Sequence, residues 1–202
     1  MIPQTFIFIG RSGCGKGTQS DLLHKYINAN DKDEHLIFYL ETGARFREFM
    51  EKENFSSKLA KDISLKGDRQ PDFLAVWMWS NILLENFTDS EHLIVDGAPR
   101  SLPEARVFDS AIKFYRRKNT TVIYLNVDRK WSETHLQRRG RADDINVNEV
   151  KRRLDWFEKD VVPAVEYFKE NKDYRFFEVN GEQTPEKVHY DIIQKAFGEN
   201  LK

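Results

Sequence analysis

The sequence predicts a three-layer α/β sandwich, a five-stranded parallel sheet with helices on both faces. Two observations carry that expectation. Strand-length apolar segments alternate with helix-length segments along the whole chain, the pattern of a parallel sheet with helical crossovers. The first of them, Phe6-Ile7-Phe8-Ile9, is apolar without alternation and so reads as a strand covered on both faces. A length of 202 residues suits one domain with small inserted flaps, and 40% hydrophobic with 32% charged residues is a soluble, folded composition.

Taken in order, Thr5–Ile9 is the first strand and Gly17–Asn28 the first helix. A polar turn over residues 30–34 leads into a second strand, His35–Leu40. Thr42–Lys52 and Ser56–Lys66 read as short helices broken at Asn54 and Gly67. Pro71–Phe87 is a longer helix whose proline suits its first turn, with Phe73, Val76, Trp77, Ser80, Leu83 and Leu84 expected along one packed face. Trp77 is expected in the core and Trp79 at its flank. His92–Val95 is the third strand, Ser101–Lys118 a helix, Thr121–Val127 the fourth strand and Trp131–Arg139 a helix. Asn148–Glu170 reads as a long helix interrupted at Pro163, before the Arg175–Val179 strand and a last helix, Pro185–Phe197. His24, His92 and His189 are expected to be surface or packing residues.

A net charge of −1 gives no global basic field for nucleic acid or an anionic membrane. No apolar run reaches membrane-spanning length, and no basic-then-apolar leader opens the sequence. The single cysteine, Cys14, excludes an internal disulfide and a cysteine-built structural zinc site, which fits a reducing cytoplasm.

The chemistry concentrates just after the strands. Gly10-Arg11-Ser12-Gly13-Cys14-Gly15-Lys16-Gly17-Thr18 joins the first strand to the first helix. Its spacing from Gly10 through Gly15 to Lys16 is that of a phosphate-binding loop (P-loop). Residues lacking Cβ let backbone N–H groups wrap an anion at a helix N-terminus. Lys16 supplies a mobile charge for the outer phosphates. The hydroxyl comes one place late, at Thr18, in reach of a phosphate-bound Mg²⁺. Cys14 sits where a thiolate is favoured, or is simply a small residue the loop tolerates. After the second strand comes Glu41-Thr42-Gly43-Ala44-Arg45-Phe46-Arg47, and after the third Asp96-Gly97-Ala98-Pro99-Arg100. One helix beyond the fourth strand stand Arg138-Arg139-Gly140-Arg141-Ala142-Asp143-Asp144 and then Lys151-Arg152-Arg153. Ligands in such sheets sit at the carboxyl ends of the strands. Arginines there suit phosphates held in a fixed fork geometry, and Asp96 suits either a water-rich Mg²⁺ or a strand-end cap.

These segments together resemble the adenylate kinase family of nucleoside monophosphate kinases, over nearly the whole length. The resemblance implies a core of residues 1–41, 71–134 and 148–202, an acceptor-binding helical flap at 42–70 and a minimal lid at 135–147. It implies ATP held by Gly13, Cys14, Gly15, Lys16, Gly17, Thr18, His135 and Arg139. It implies AMP held by Thr42, Arg47, Gly97, Arg100, Glu104, Arg141 and Arg153. Lys16, Arg100, Arg139, Arg141 and Arg153 would act on the transferring phosphoryl group, with Thr18 and Asp96 holding Mg²⁺ through water. The implied reaction is reversible transfer from ATP to AMP, giving two ADP, by a cytoplasmic monomer with no nucleic-acid or membrane partner. The sequence departs from the family in several places, one being that Arg139-Gly140-Arg141 leaves almost no lid, shorter than in the family's short-lid members. Ala98 stands in the Asp-Gly-Phe-Pro-Arg signature for phenylalanine, and Ala44 follows Thr-Gly where an aspartate is usual. His135 occupies the place of an arginine over the donor base. Glu104 occupies the place of a base-reading glutamine. An ionised glutamate only accepts hydrogen bonds, so it can meet the N1–H and amino group of guanine or the amine of adenine. It can equally close a helix capping box with Ser101. GMP is therefore the alternative acceptor, and a nucleotide sensor without turnover the alternative of another class.

Overall fold

The computed structural model describes residues 1–141, 144 and 146–198. Five parallel strands form its sheet: β1 (Thr5–Gly10), β2 (Ile37–Glu41), β3 (His92–Asp96), β4 (Thr121–Asn126) and β5 (Arg175–Asn180), in the spatial order β2-β3-β1-β4-β5. The predicted fold class is therefore the observed one. The helices among the described residues are α1 (Lys16–Asn30), α2 (Thr42–Met50), α3 (Phe55–Leu65), α4 (Asp72–Asn86), α5 (Leu102–Phe114), α6 (Arg129–Arg139), α7 (Val147–Trp156), α8 (Val162–Glu170) and α9 (Pro185–Phe197).

Strand alternation splits the interior into two layers. Ile7, Ile9, Leu93 and Val95 point to one face, under Trp79 and Leu83 of α4, Phe108 of α5 and Phe168 of α8. Phe6, Phe8, Ile94 and Ile123 point to the other, under Leu23 and Ile27 of α1 and Ile192 of α9. β1 is central, and the chain crosses to opposite sides of it, so a crevice opens at its carboxyl end. Register aligns that edge: Glu41 lies beside Asp96, and Asp96 beside Phe8, two residues before the loop.

Two small cores stand apart from the sheet. Phe49, Ala60, Leu74 and Met78 pack α2, α3 and α4 into a helical unit, and Leu136, Val150 and Leu154 hold α6 to α7. These show where α4 differs from expectation. Its buried residues are Leu74, Ala75, Met78, Trp79 and Leu83, while Phe73, Trp77 and Leu84 are exposed. Trp79 is thus the core indole and Trp77 the flank. α4 is apolar nearly all round, so its sequence carries no periodic signal for which side faces in.

The long helix is interrupted earlier than Pro163. Phe157–Val161 is a π-helical turn in which the Val162 N–H donates to the Phe157 carbonyl. Pro163 has no N–H to donate to the preceding turn, and the strain is absorbed as a widened turn upstream.

Candidate active site

The loop after β1 is shaped by its glycines. Gly13 and Gly15 have φ of 84° and 91°, the left-handed region that glycine occupies without strain. Gly15 caps α1 without a side-chain bond, and α1 has no acid in its first turn. The first N–H groups of the helix are therefore free to meet an anion. Lys16 lies back over the loop, its Nζ donating to the carbonyls of Gly10 at 2.8 Å and Arg11 at 3.1 Å. Gly13, Gly15, Lys16, Gly17 and Thr18 all line a cavity of about 580 Å³, within the range of a nucleotide site.

The same cavity is lined by Arg47, Asp96, Gly97 and Arg100. Arg47 pairs with Glu41 at 3.1 Å, and Arg100 Nε donates to the Gly97 carbonyl at 2.6 Å. The two guanidiniums converge: a Cβ built on Gly43 would lie 3.4 Å from one and 3.7 Å from the other. Burial pushes the Arg100 guanidinium down from its ordinary value, Glu104 and Asp96 oppose this, and Arg153 and Arg47 push it further down. Such crowding of like charges is relieved by a bound anion.

A third group closes the cavity: His135, Arg139, Arg141 and Arg153. Asp144 organises it, accepting from Arg139 Nε at 2.7 Å and Arg139 NH2 at 2.9 Å, and from Arg153 NH2 at 2.6 Å. Burial pushes the Asp144 carboxyl up, but the bonds from Arg139 and Arg153 outweigh it and leave it below the usual carboxylate range. His135 stacks on Trp131 with ring centres 4.2 Å apart. Asp143 lies outside the described residues.

The adenylate kinase family profile matches residues 8–173. A protein named adenylate kinase from Flavobacterium psychrophilum is 30% identical over 186 residues, covering 90% of this chain and 92% of its own. One of the same name from Parabacteroides distasonis is 31% identical, covering 80% and 82% of the two chains. A third, from Bacteroides fragilis, is 30% identical and covers 93% and 95%. The chain belongs to the adenylate kinase family.

Three residues expected in an adenylate kinase site do not line the cavity. Glu104 is the main correction. It is buried, with Oε1 accepting from Trp79 Nε1 at 3.2 Å and Oε2 from the Arg100 N–H at 2.7 Å, so both its oxygens are engaged inside the protein. Nor does it close a capping box: Ser101 Oγ accepts from the Glu104 N–H at 3.2 Å, but the carboxylate returns to residue 100, not 101. Thr42 is buried, its hydroxyl donating to the Gly97 carbonyl at 2.8 Å and tying the ends of β2 and β3 together. Cys14 is buried beneath the loop; burial pushes its thiol up, opposed by Lys16, so it is a packing residue.

The sequence missed the return of the flap. Gly67, Asp68, Arg69 and Gln70 line the cavity, as does Trp156. The sequence places residues 67–70 within the flap and Gly67 as a helix break, but no local signal shows that residues 66–69 meet α7. Magnesium fits the residues present. Asp96 is buried at the end of β3, and its contact with Tyr39 Oη is long at 3.4 Å. Burial pushes its carboxyl up, opposed by Lys16 and Arg100. A carboxylate short of positive charge, with the Thr18 hydroxyl in the same cavity, suits a hard cation that keeps its waters.

Proposed function

We propose that the chain is an adenylate kinase, transferring the terminal phosphoryl group of ATP to AMP and the reverse, as a cytoplasmic monomer. The observation that carries this is the convergence of Arg47 and Arg100 in the cavity that the phosphate loop opens into. A protein that only bound ATP needs the loop but not a second cationic cluster beside it.

Phosphoryl transfer needs the reacting oxygens in line and their charge offset, with little covalent help from protein. Loop N–H groups and Lys16 hold the donor phosphates; Arg47 and Arg100 hold the acceptor phosphate; Arg139, Arg141 and Arg153 meet the group in transit. Asp96 and Thr18 would hold Mg²⁺ through water, and the ion would offset the charge of the donor phosphates. His135 lies under the donor base. None of these groups needs to move a proton or form a covalent bond. The motive for GMP was Glu104, and with that carboxylate occupied by two internal donors the AMP reading stands.

The test is a panel of AMP, GMP, CMP, UMP and dTMP with ATP and Mg²⁺. ADP should form from AMP far faster than product forms from any other acceptor. Tight ATP binding with no acceptor turned over would make the protein a sensor instead.

A further inference from the structure

The environment of Glu104 sets a stricter chemical condition than burial alone. Trp79 Nε1–H and the Arg100 N–H are donors only, and each faces a different oxygen of the same carboxylate. An amide has one oxygen and would turn its NH2 against one of these donors. A protonated carboxyl keeps both oxygens but accepts only weakly on its hydroxyl. The two donors therefore favour the ionised form, against a burial that pushes the carboxyl up, at a residue 2% exposed.

What the carboxylate holds is the backbone from which Arg100 extends. That guanidinium reaches to where a Cβ on Gly97 would lie, 2.8 Å away, and towards Arg47 above Gly43. Glu104 and Asp96 are the carboxylates that offset it against the repulsion of Arg47 and Arg153. Trp79 is itself locked, packed edge-on to Phe108 with ring centres 4.9 Å apart. The core of the sheet is thus connected through one indole and one carboxylate to the acceptor arginine.

Resting on the acceptor site proposed above, we infer that Glu104 is a positioning residue. Together with Trp79 it fixes the Arg100 backbone and balances its charge, and it takes no part in choosing the base.

The test compares E104Q, W79F and the double variant W79F/E104Q, assayed with ATP, Mg²⁺ and either AMP or GMP, with AMP binding followed by calorimetry. E104Q should lose about tenfold to a hundredfold in kcat/KM for AMP, in kcat as well as KM. Its KM for ATP and its preference for AMP over GMP should stay those of the parent. W79F should lose less than E104Q, because Glu104 still accepts from the residue 100 N–H while the buried indole is lost. W79F/E104Q should recover a large part of the loss, since the amide oxygen can turn to the Arg100 N–H once the indole donor is gone. A shift of tenfold or more towards GMP in E104Q, or a double variant no better than E104Q, overturns the inference. If E104Q fails to fold by circular dichroism, the double variant decides alone: altered base preference refutes positioning and unaltered preference supports it. A parent with no turnover would sink the proposed function, and the AMP affinities of the same variants would still read the role of Glu104.

Discussion

At the scale of single residues, the site depends on a few groups whose contacts leave no substitute. Lys16 bonds two backbone carbonyls and the Cys14 sulfur of its own loop and no carboxylate among the described residues, so little of the fold rests on its charge. Lys16→Ala should lower ADP formation by about a hundredfold or more with an unchanged circular dichroism spectrum. Asp144 carries two arginines on one buried carboxylate. Asp144→Asn keeps the shape but loses the charge, and should cost about 2–3 kcal/mol in denaturant unfolding while lowering turnover. Stability unaffected by that change would mean the arginines do not depend on it. Gly97 has φ of 87°, and a Cβ there would sit 2.9 Å from the Thr42 hydroxyl as well as against Arg100. These residues were legible because phosphate chemistry restricts what can serve: a lysine after a glycine loop, arginines after strand ends. The actual partners of Glu104 were not. Trp79 lies 25 positions away, and nothing in the local sequence says that its indole N–H is aimed at that carboxylate.

At the scale of elements, the flap is pinned on its return side. Arg152 donates to the Lys66 carbonyl at 2.9 Å, Trp156 Nε1 to the Gly67 carbonyl at 3.2 Å, and Arg69 spans Asp72 and Asp160 at 2.6 and 3.4 Å. Gly67 is closely fitted there, for a Cβ at its φ of 73° would lie 2.7 Å from the Glu149 backbone. The segment after α3 is thus fastened to α7, one turn of which also carries Arg153. Trp156→Phe removes the N–H together with part of the ring's bulk and should raise KM for AMP about two- to tenfold with KM for ATP unchanged, read by steady-state kinetics. Equal changes in both constants would mean that the clamp serves the whole fold. Short apolar runs bounded by turns were read correctly, the strands above all. α4 and the π-turn were not, because an all-round apolar helix and a proline's upstream strain take their final form from what packs against them.

At the scale of the molecule, the ends of the sheet do different work. Opposite the site, Asp31 accepts from His35 at 2.7 Å and His92 Nε2 at 3.1 Å, while His92 Nδ1 accepts from the Gln4 N–H at 2.9 Å. His92 is thus a neutral tautomer with its ring proton on Nε2, committed to a structural bond rather than to a metal. Burial pushes the Asp31 carboxyl up, but bonds from the Met1 amino group, His35 and His92 outweigh it and hold it far below the usual range. Asp144 is held low in the same sense. Groups with depressed folded values contribute stability that is present above their unfolded value, near 4, and lost as pH falls through the folded one. Asp96 and Glu104, raised by burial, contribute oppositely. The thermal midpoint should therefore fall steeply below about pH 4, and Asp31→Asn should flatten that fall. At the site end, only residues 140–146 separate α6 from α7, too little chain for a broad cover over the donor. ATP hydrolysis without acceptor should exceed that of a relative with a long insertion there, and a rate near background would refute a thin cover.

The sequence by itself determined the sheet, the loop and the set of cations, because each is written in spacing and residue type over a dozen positions or fewer. Only the tertiary structure decided that Glu104 faces inward, that Trp79 and not Trp77 fills the core, and that the flap is fastened at Gly67. Each of these is a choice between partners far apart in the chain, made by packing and by the need of every buried donor for an acceptor.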